Sequence, residues 1–241
     1  MKIKFLSSVF VLAAFAAVGN AQSVVVTSKK VTYNRPRAAA DYKKSFTITY
    51  PKIKAATPTL SKKIENAFSY QRILGVNLDG ELNDIQWLER ADYKVKYNKN
   101  GSLCIELSIE GSGAYPSSSS KVVVVDTRTG LRARPIDVFA NRTGLIGVLR
   151  KMQEKEKQET LALIKKGEPD ADEPGLLFGD RHFNSFDLEG YELSNTGVTF
   201  HYDYAFPHVA LMYKPSGEFY FTWAKLKPYI KPGGLLSRMK R

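Results

Sequence analysis

The chain has one cysteine, Cys104, so no internal disulfide can form and the fold must be held by its core. Cys104 sits in Leu103-Cys104-Ile105-Glu106-Leu107, a strand-like run where a small buried hydrophobe is the expected role. Histidine is almost as scarce, with only His182, His201 and His208. A zinc centre needs three or four ligands at workable spacing, and neither His-Glu-x-x-His nor His-x-x-His occurs. The one defensible metal or catalytic centre is His201 and Asp203, on one face of a strand at i,i+2, joined by His208. An exposed polar strand face accounts for the first two equally well. Also missing are a Gly-x-Ser-x-Gly nucleophile elbow and a phosphate-cradling glycine loop. Gly111-Ser112-Gly113 reads as a tight loop. Asp170, Asp172 and Glu173, in the acidic stretch 167–174, resemble half a calcium loop without its central glycine and terminal glutamate. No cofactor is implied, and no nucleic-acid-binding motif is present.

Long apolar runs are confined to the N-terminus. Lys2 and Lys4 precede an uncharged run from Phe5 to Val18, and Gly19-Asn20-Ala21 supplies a small-x-small cleavage pattern. Residues 1–21 are therefore expected to be a cleavable signal peptide, and the run is shorter than the roughly 20 residues of a membrane-spanning helix. No later segment is long and apolar enough to span a membrane. The expected mature chain, 22–241, is one exported domain in the periplasm or medium of a bacterium, with a division into 22–110 and 111–241 left open.

What the chain has in excess is positive charge and aromatic side chains. Its net charge is +12, and about +10 remains without Lys2 and Lys4. The charge is scattered, which suits solubility but also an anionic polymer or an acidic partner. Tyr202, Tyr204, Phe206, Tyr213, Phe219, Tyr220, Phe221 and Trp223 crowd the last third. Half of such residues must point inward at strand spacing, and the rest can stack on sugars or anchor a protein.

Local patterns give α+β: antiparallel sheet packed with two or three helices. Phe46, Ile48 and Tyr50 alternate with Ser45, Thr47 and Thr49, marking a half-buried strand ended by Pro51. Leu60, Ile64, Ala67 and Phe68 recur at helical spacing behind a cap at Thr59 or Ser61. A hairpin turns at Asn98 to Gly101. Four consecutive valines at 122–125 predict a strand buried on both faces. The helix from Leu145 to Lys166 has a charged centre expected to be exposed. Strands follow at 191–193, 198–204 and 218–223, then a short closing helix from Trp223 to Ile230.

Gly113-Ala114-Tyr115-Pro116, Asp126-Thr127-Arg128-Thr129-Gly130 and Pro135-Ile136-Asp137-Val138-Phe139 occur in that order. Gly197-Val198-Thr199-Phe200-His201-Tyr202 and Tyr204-Ala205-Phe206-Pro207-His208, with Gly217, Phe219 and Leu226, close the chain. Jointly these resemble the extracytoplasmic domain of the anti-sigma-V factor RsiV and the N-terminal module of exported peptidoglycan deacetylases. The resemblance implies an α+β domain that binds and does not catalyse, with a lysozyme-like protein or peptidoglycan as ligand. The chain departs from it in having a cleavable leader in place of a membrane anchor and no deacetylase domain. The binding surface is expected at Tyr204, Phe206, His208 and Tyr213. Competing readings are an enzyme acting on envelope polymers and a structural envelope protein with a basic surface.

Overall fold

The computed structural model describes residues 23–113, 115–167 and 174–239. The expected leader and the half calcium loop at Asp170, Asp172 and Glu173 lie outside the described residues. Strands β1 (Val25–Asn34) and β2 (Ser45–Lys54) form an antiparallel hairpin. Pro51 does not end β2 but pairs opposite Ser28 within it. This is tolerated because the next strand pairs β2 only at Thr47 and Ile48, so at Pro51 the ladder has one partner.

Three helices cross from β2 to that strand. Helix α1 (Pro58–Ala67) is capped by Thr57, not Thr59 or Ser61; its hydroxyl accepts the Leu60 N–H, and Pro58 opens the first turn. Helix α2 (Tyr70–Leu74) starts at Ser69 and stops at Gly75, whose φ is 71°. Helix α3 (Leu78–Asn83) is capped by the Asn77 side chain. A crossover of this length permits the one parallel pairing, β2 with β3 (Leu88–Lys99). The remaining pairings are antiparallel: β3 with β4 (Ser102–Ser112), β4 with β5 (Pro116–Asp126), and β5 with the short β6 (Leu131–Arg132). Asn100 and Gly101, at φ 53° and 75°, make the β3–β4 turn. Gly111 lies inside β4, where a Cβ would collide with the Trp87 carbonyl.

The two faces of this six-stranded sheet bury different cores. Leu103, Ile105, Leu107, Val123 and Val125 pack beneath Ile64, Phe68 and Ile73 of the crossover helices. Cys104 and Val124 point the other way, into a core shared with the C-terminal third. The valine run thus serves both faces. Burial pushes the Cys104 thiol up to about 12, so it is an inert packing group.

After α4 (Pro135–Val138) comes the 26-residue α5 (Arg142–Gly167). A second antiparallel sheet follows, from β7 (Tyr191–Leu193), β8 (Gly197–His201) and β9 (Glu218–Thr222), closed by α6 (Trp223–Leu226). Tyr191, Leu193, Val198, Phe200, Phe219 and Phe221 line its buried face with Leu145 and Leu149 of α5. Phe200 meets Phe139 and Phe221 at ring-centroid distances of 5.6 and 5.7 Å. Ion pairs join the sheets on the other side: Lys96 of β3 bridges Glu106 of β4 at 3.4 Å and Glu192 of β7 at 3.0 Å. The α+β class is as expected. Six helices accompany the sheets among the described residues; α2, α3, α4 and α6 are six residues long or shorter and leave no helical periodicity to read.

Candidate functional site

The strand alternation of β8 continues past His201. Tyr202, Tyr204 and Phe206 all turn inward, while Asp203 faces solvent. What holds this stretch is the middle of α5. Gln153, fully enclosed, accepts the Phe183 N–H at 2.8 Å and donates to the Arg181 carbonyl at 3.3 Å. The Tyr202 hydroxyl donates to the same carbonyl at 2.9 Å. Glu156 accepts the Tyr204 hydroxyl at 2.8 Å on one oxygen, and the Ser216 hydroxyl and Gly217 N–H at 2.8 and 3.2 Å on the other. The charged centre expected to be solvated therefore has an inner side that fastens both ends of the 204–217 segment. Burial, then the bond to Glu156, raises the Tyr204 pKa, so the phenol is a permanent donor. Gly217, at φ 65°, lies so close to Tyr202 that a Cβ would strike its carbonyl.

Between these anchors the chain forms a 3-10 turn over His208–Tyr213 and leaves a cavity of about 730 Å³. Tyr202, Tyr204, Phe178, Ala210 and Tyr213 line it. Leu176, Val209 and Met212 also line it, at 75%, 88% and 80% exposure, so its mouth carries an aliphatic patch beside the charged Asp180, Arg181 and Asp203. Three exposed aliphatic side chains around one opening are unusual for isolated surface residues. Asp203 of its lining makes an ion pair of 2.7 Å with Lys214 and also accepts the Ala205 N–H at 2.9 Å.

The Lys214 ammonium, then the Ala205 N–H, holds the Asp203 carboxyl below the usual carboxylate range. A depressed pKa in the folded protein stabilises the clasp above the ordinary carboxylate value, and that stabilisation fades as pH falls through the folded value. We expect residues 205–214 to become sensitive to a protease active in acid once pH drops below about 4, while the rest of the chain stays resistant. Asp203→Asn should show that sensitivity at neutral pH; uniform resistance of the Asn variant would remove the clasp from the account.

The four residues expected to form the binding surface separate here. Tyr204 and Tyr213 line the cavity. Phe206 is buried against Phe178 at 5.0 Å and Tyr204 at 6.3 Å. His208 is exposed and stacks on Tyr115 at 5.8 Å, away from the cavity wall. Of the alternative centre, His201 and Asp203 line one cleft and His208 is not part of its lining. His201 lies 3.5 Å from Glu192 and 3.9 Å from Glu218, Asp203 is engaged by Lys214, and His208 is on Tyr115. Among the described residues no group of three or more His, Cys, Asp or Glu is placed to hold a metal ion. Leu176, Val209 and Met212 escaped the sequence reading. They stand in irregular segments, and a lone aliphatic outside a periodic run has no face to predict.

No family model matches the sequence, and no curated protein matches it. Several solved structures resemble it in fold, among them two of the DUF3298 family. A DUF3298 family protein of Bacteroides fragilis superimposes with a TM-score of 0.57 at 12% identity, covering 92% of this chain and 98% of that one. A DUF3298 family protein of Pseudomonas aeruginosa gives 0.53 at 14% identity, covering 90% and 97%. Nearly end to end, the chain is therefore similar in fold to proteins of the DUF3298 family.

Proposed function

We propose that this chain is an exported, non-catalytic binding module that takes a lysozyme-like protein through the aliphatic mouth at Leu176, Val209 and Met212. The observation carrying the proposal is that mouth, on a segment anchored by Glu156 and the Asp203–Lys214 clasp. Glycans are held by exposed ring faces and convergent polar groups. Here Tyr204 and Phe206 turn inward, and the most exposed large apolar side chains of the lining, Leu176, Val209 and Met212, are aliphatic, beside the charged Asp180, Arg181 and Asp203. A desolvated aliphatic patch around a cavity suits a protein anchor instead. Export is the reading of the leader at residues 1–21. The lysozyme class comes from the resemblance to the RsiV domain, and the fold similarity to DUF3298 proteins is compatible with it. His201 and Asp203 share a cleft, but His208 stacks on Tyr115 and Asp203 is paired with Lys214, which does not favour an enzyme built on those three residues.

Retention on immobilised lysozyme and on purified peptidoglycan, at low and at high salt, tests the proposal. Apolar anchoring predicts retention on lysozyme that persists in high salt. Retention on peptidoglycan alone, or retention lost as salt rises, contradicts it.

A further inference from the structure

Among the described residues the outer edge of β5 is open over most of its length. Strand β6 pairs β5 only at Val125 and Asp126, and the Ala133 N–H reaches Val124. From Pro116 to Val123, β5 pairs β4 on one side in unbroken register. On its other side no described strand or loop takes up its backbone groups. Natural sheets guard such an edge with bulges, inward charges or a covering loop. Among the described residues this edge has none over Ser117, Ser118, Ser119 and Ser120, whose small side chains are exposed.

A cleft of about 850 Å³ runs along that edge. Its lining carries Arg72, Lys121, Arg132, Arg134, Arg181 and Lys214 against Glu106, Asp187, Glu189 and Asp203. Four of the cations are committed: Arg132 to Glu189 at 3.7 Å, Arg134 to Asp137 at 3.0 Å, Arg181 to Asp187, and Lys214 to Asp203 at 2.7 Å. Glu106 is taken by Lys96. Arg72 and Lys121 have no carboxylate partner among the described residues. They also lie on the same side of the sheet. Lys121 shares its strand face with Val123 and Val125, which pack into the core under α2, the helix that carries Arg72.

We infer that the β5 edge accepts an extended acidic peptide segment of a partner protein as an added strand. The backbone supplies register, and a carboxylate at alternate positions of the added strand meets Lys121 and Arg72. Ser117 to Val123 spans about 20 Å, room for about six residues of ligand. The added strand would convert a weakly protected edge into an interior strand and neutralise the two uncommitted cations.

The probe is a fluorescein-labelled heptapeptide alternating glutamate and valine, titrated by anisotropy against the full chain. Two control peptides replace glutamate by lysine, or carry N-methyl groups throughout, which keeps the charge and removes the strand-forming N–H groups. The protein variant is Arg72→Glu with Lys121→Glu, both on the surface, with its fold checked by circular dichroism. We expect binding by the acidic peptide, weakened at least about tenfold by either peptide change and by the double variant. Hydrogen exchange should slow at Ser117–Val123 when the peptide is bound. Val209→Asp with Met212→Asp should leave this binding unchanged, which separates it from the aliphatic mouth. Equal binding of the N-methylated peptide reduces the cleft to charge attraction and overturns the inference. So do protection located elsewhere, no binding at about 1 mM peptide, and concentration-dependent protection of the same amides without peptide, which would give the edge to a second copy of the chain.

Discussion

Replacing Arg35 with alanine should cost about 3–5 kcal/mol of stability, a large share of the roughly 5–15 kcal/mol available to a domain. The Arg35 side chain is fully enclosed. Its guanidinium donates to the carbonyls of Glu81, Lys43 and Leu88 at 2.9, 2.5 and 2.7 Å, and lies over the Phe46 ring at 5.0 Å. The Glu81 carboxylate is 3.6 Å away and accepts the Leu88 N–H at 2.7 Å. One side chain therefore ties the end of β1, the β1–β2 loop, α3 and the start of β3. Removing it strands two buried carbonyls and one partly buried one, and leaves a carboxylate without its cation. Arg35→Lys should recover only part of the loss, because an ammonium is a point charge and cannot serve three carbonyls in a planar fork. Urea unfolding of the three proteins measures this. A change of less than about 1 kcal/mol in the alanine variant would mean that the cluster is bonded less tightly than the geometry states.

The second large effect concerns the two cores. Phe200 belongs to the core of the second sheet, and Ile105 to the core beneath the crossover helices. Strands β4 and β5 contribute to both, through Cys104 and Val124 on one face and Ile105 and Val123 on the other. A strand cannot lose one face and keep the other well packed, so the chain should unfold as one unit. Phe200→Ala and Ile105→Ala should each lose about 2–5 kcal/mol and lower the same calorimetric transition, by about 2–4 °C per kcal/mol. Two separate transitions, each answering to one variant, would show that the cores are independent.

Those two predictions rest on features of unequal legibility. The valine run announced a strand with two buried faces, because four β-branched residues in sequence leave no polar face to expose. The Asn100–Gly101 turn was readable for its demand on φ. Pro51 misled, since a proline breaks a strand only where its N–H is wanted, and that depends on which strand lies alongside. Arg35 gave no signal in the sequence, because a lone arginine carries no sign of the carbonyls that tertiary structure brings to it. The candidate site was legible as a segment, 204–213, but not in its chemistry. Aromatic residues drew the eye, and the fold spends Tyr204 and Phe206 on a wall and a core. The residues left outside are aliphatic and become a patch only when the 3-10 turn at His208–Tyr213 sets them beside Leu176.

The mouth itself is the place to test the binding account. Val209 and Met212 are exposed, so Val209→Asp with Met212→Asp should change stability by no more than about 1 kcal/mol. The measurement is isothermal titration of lysozyme into the parent chain and into this double variant. The account predicts saturable binding by the parent and its loss, by at least about a hundredfold, in the variant. Equal affinity of the two proteins, or no heat of binding from a folded parent chain, would contradict it.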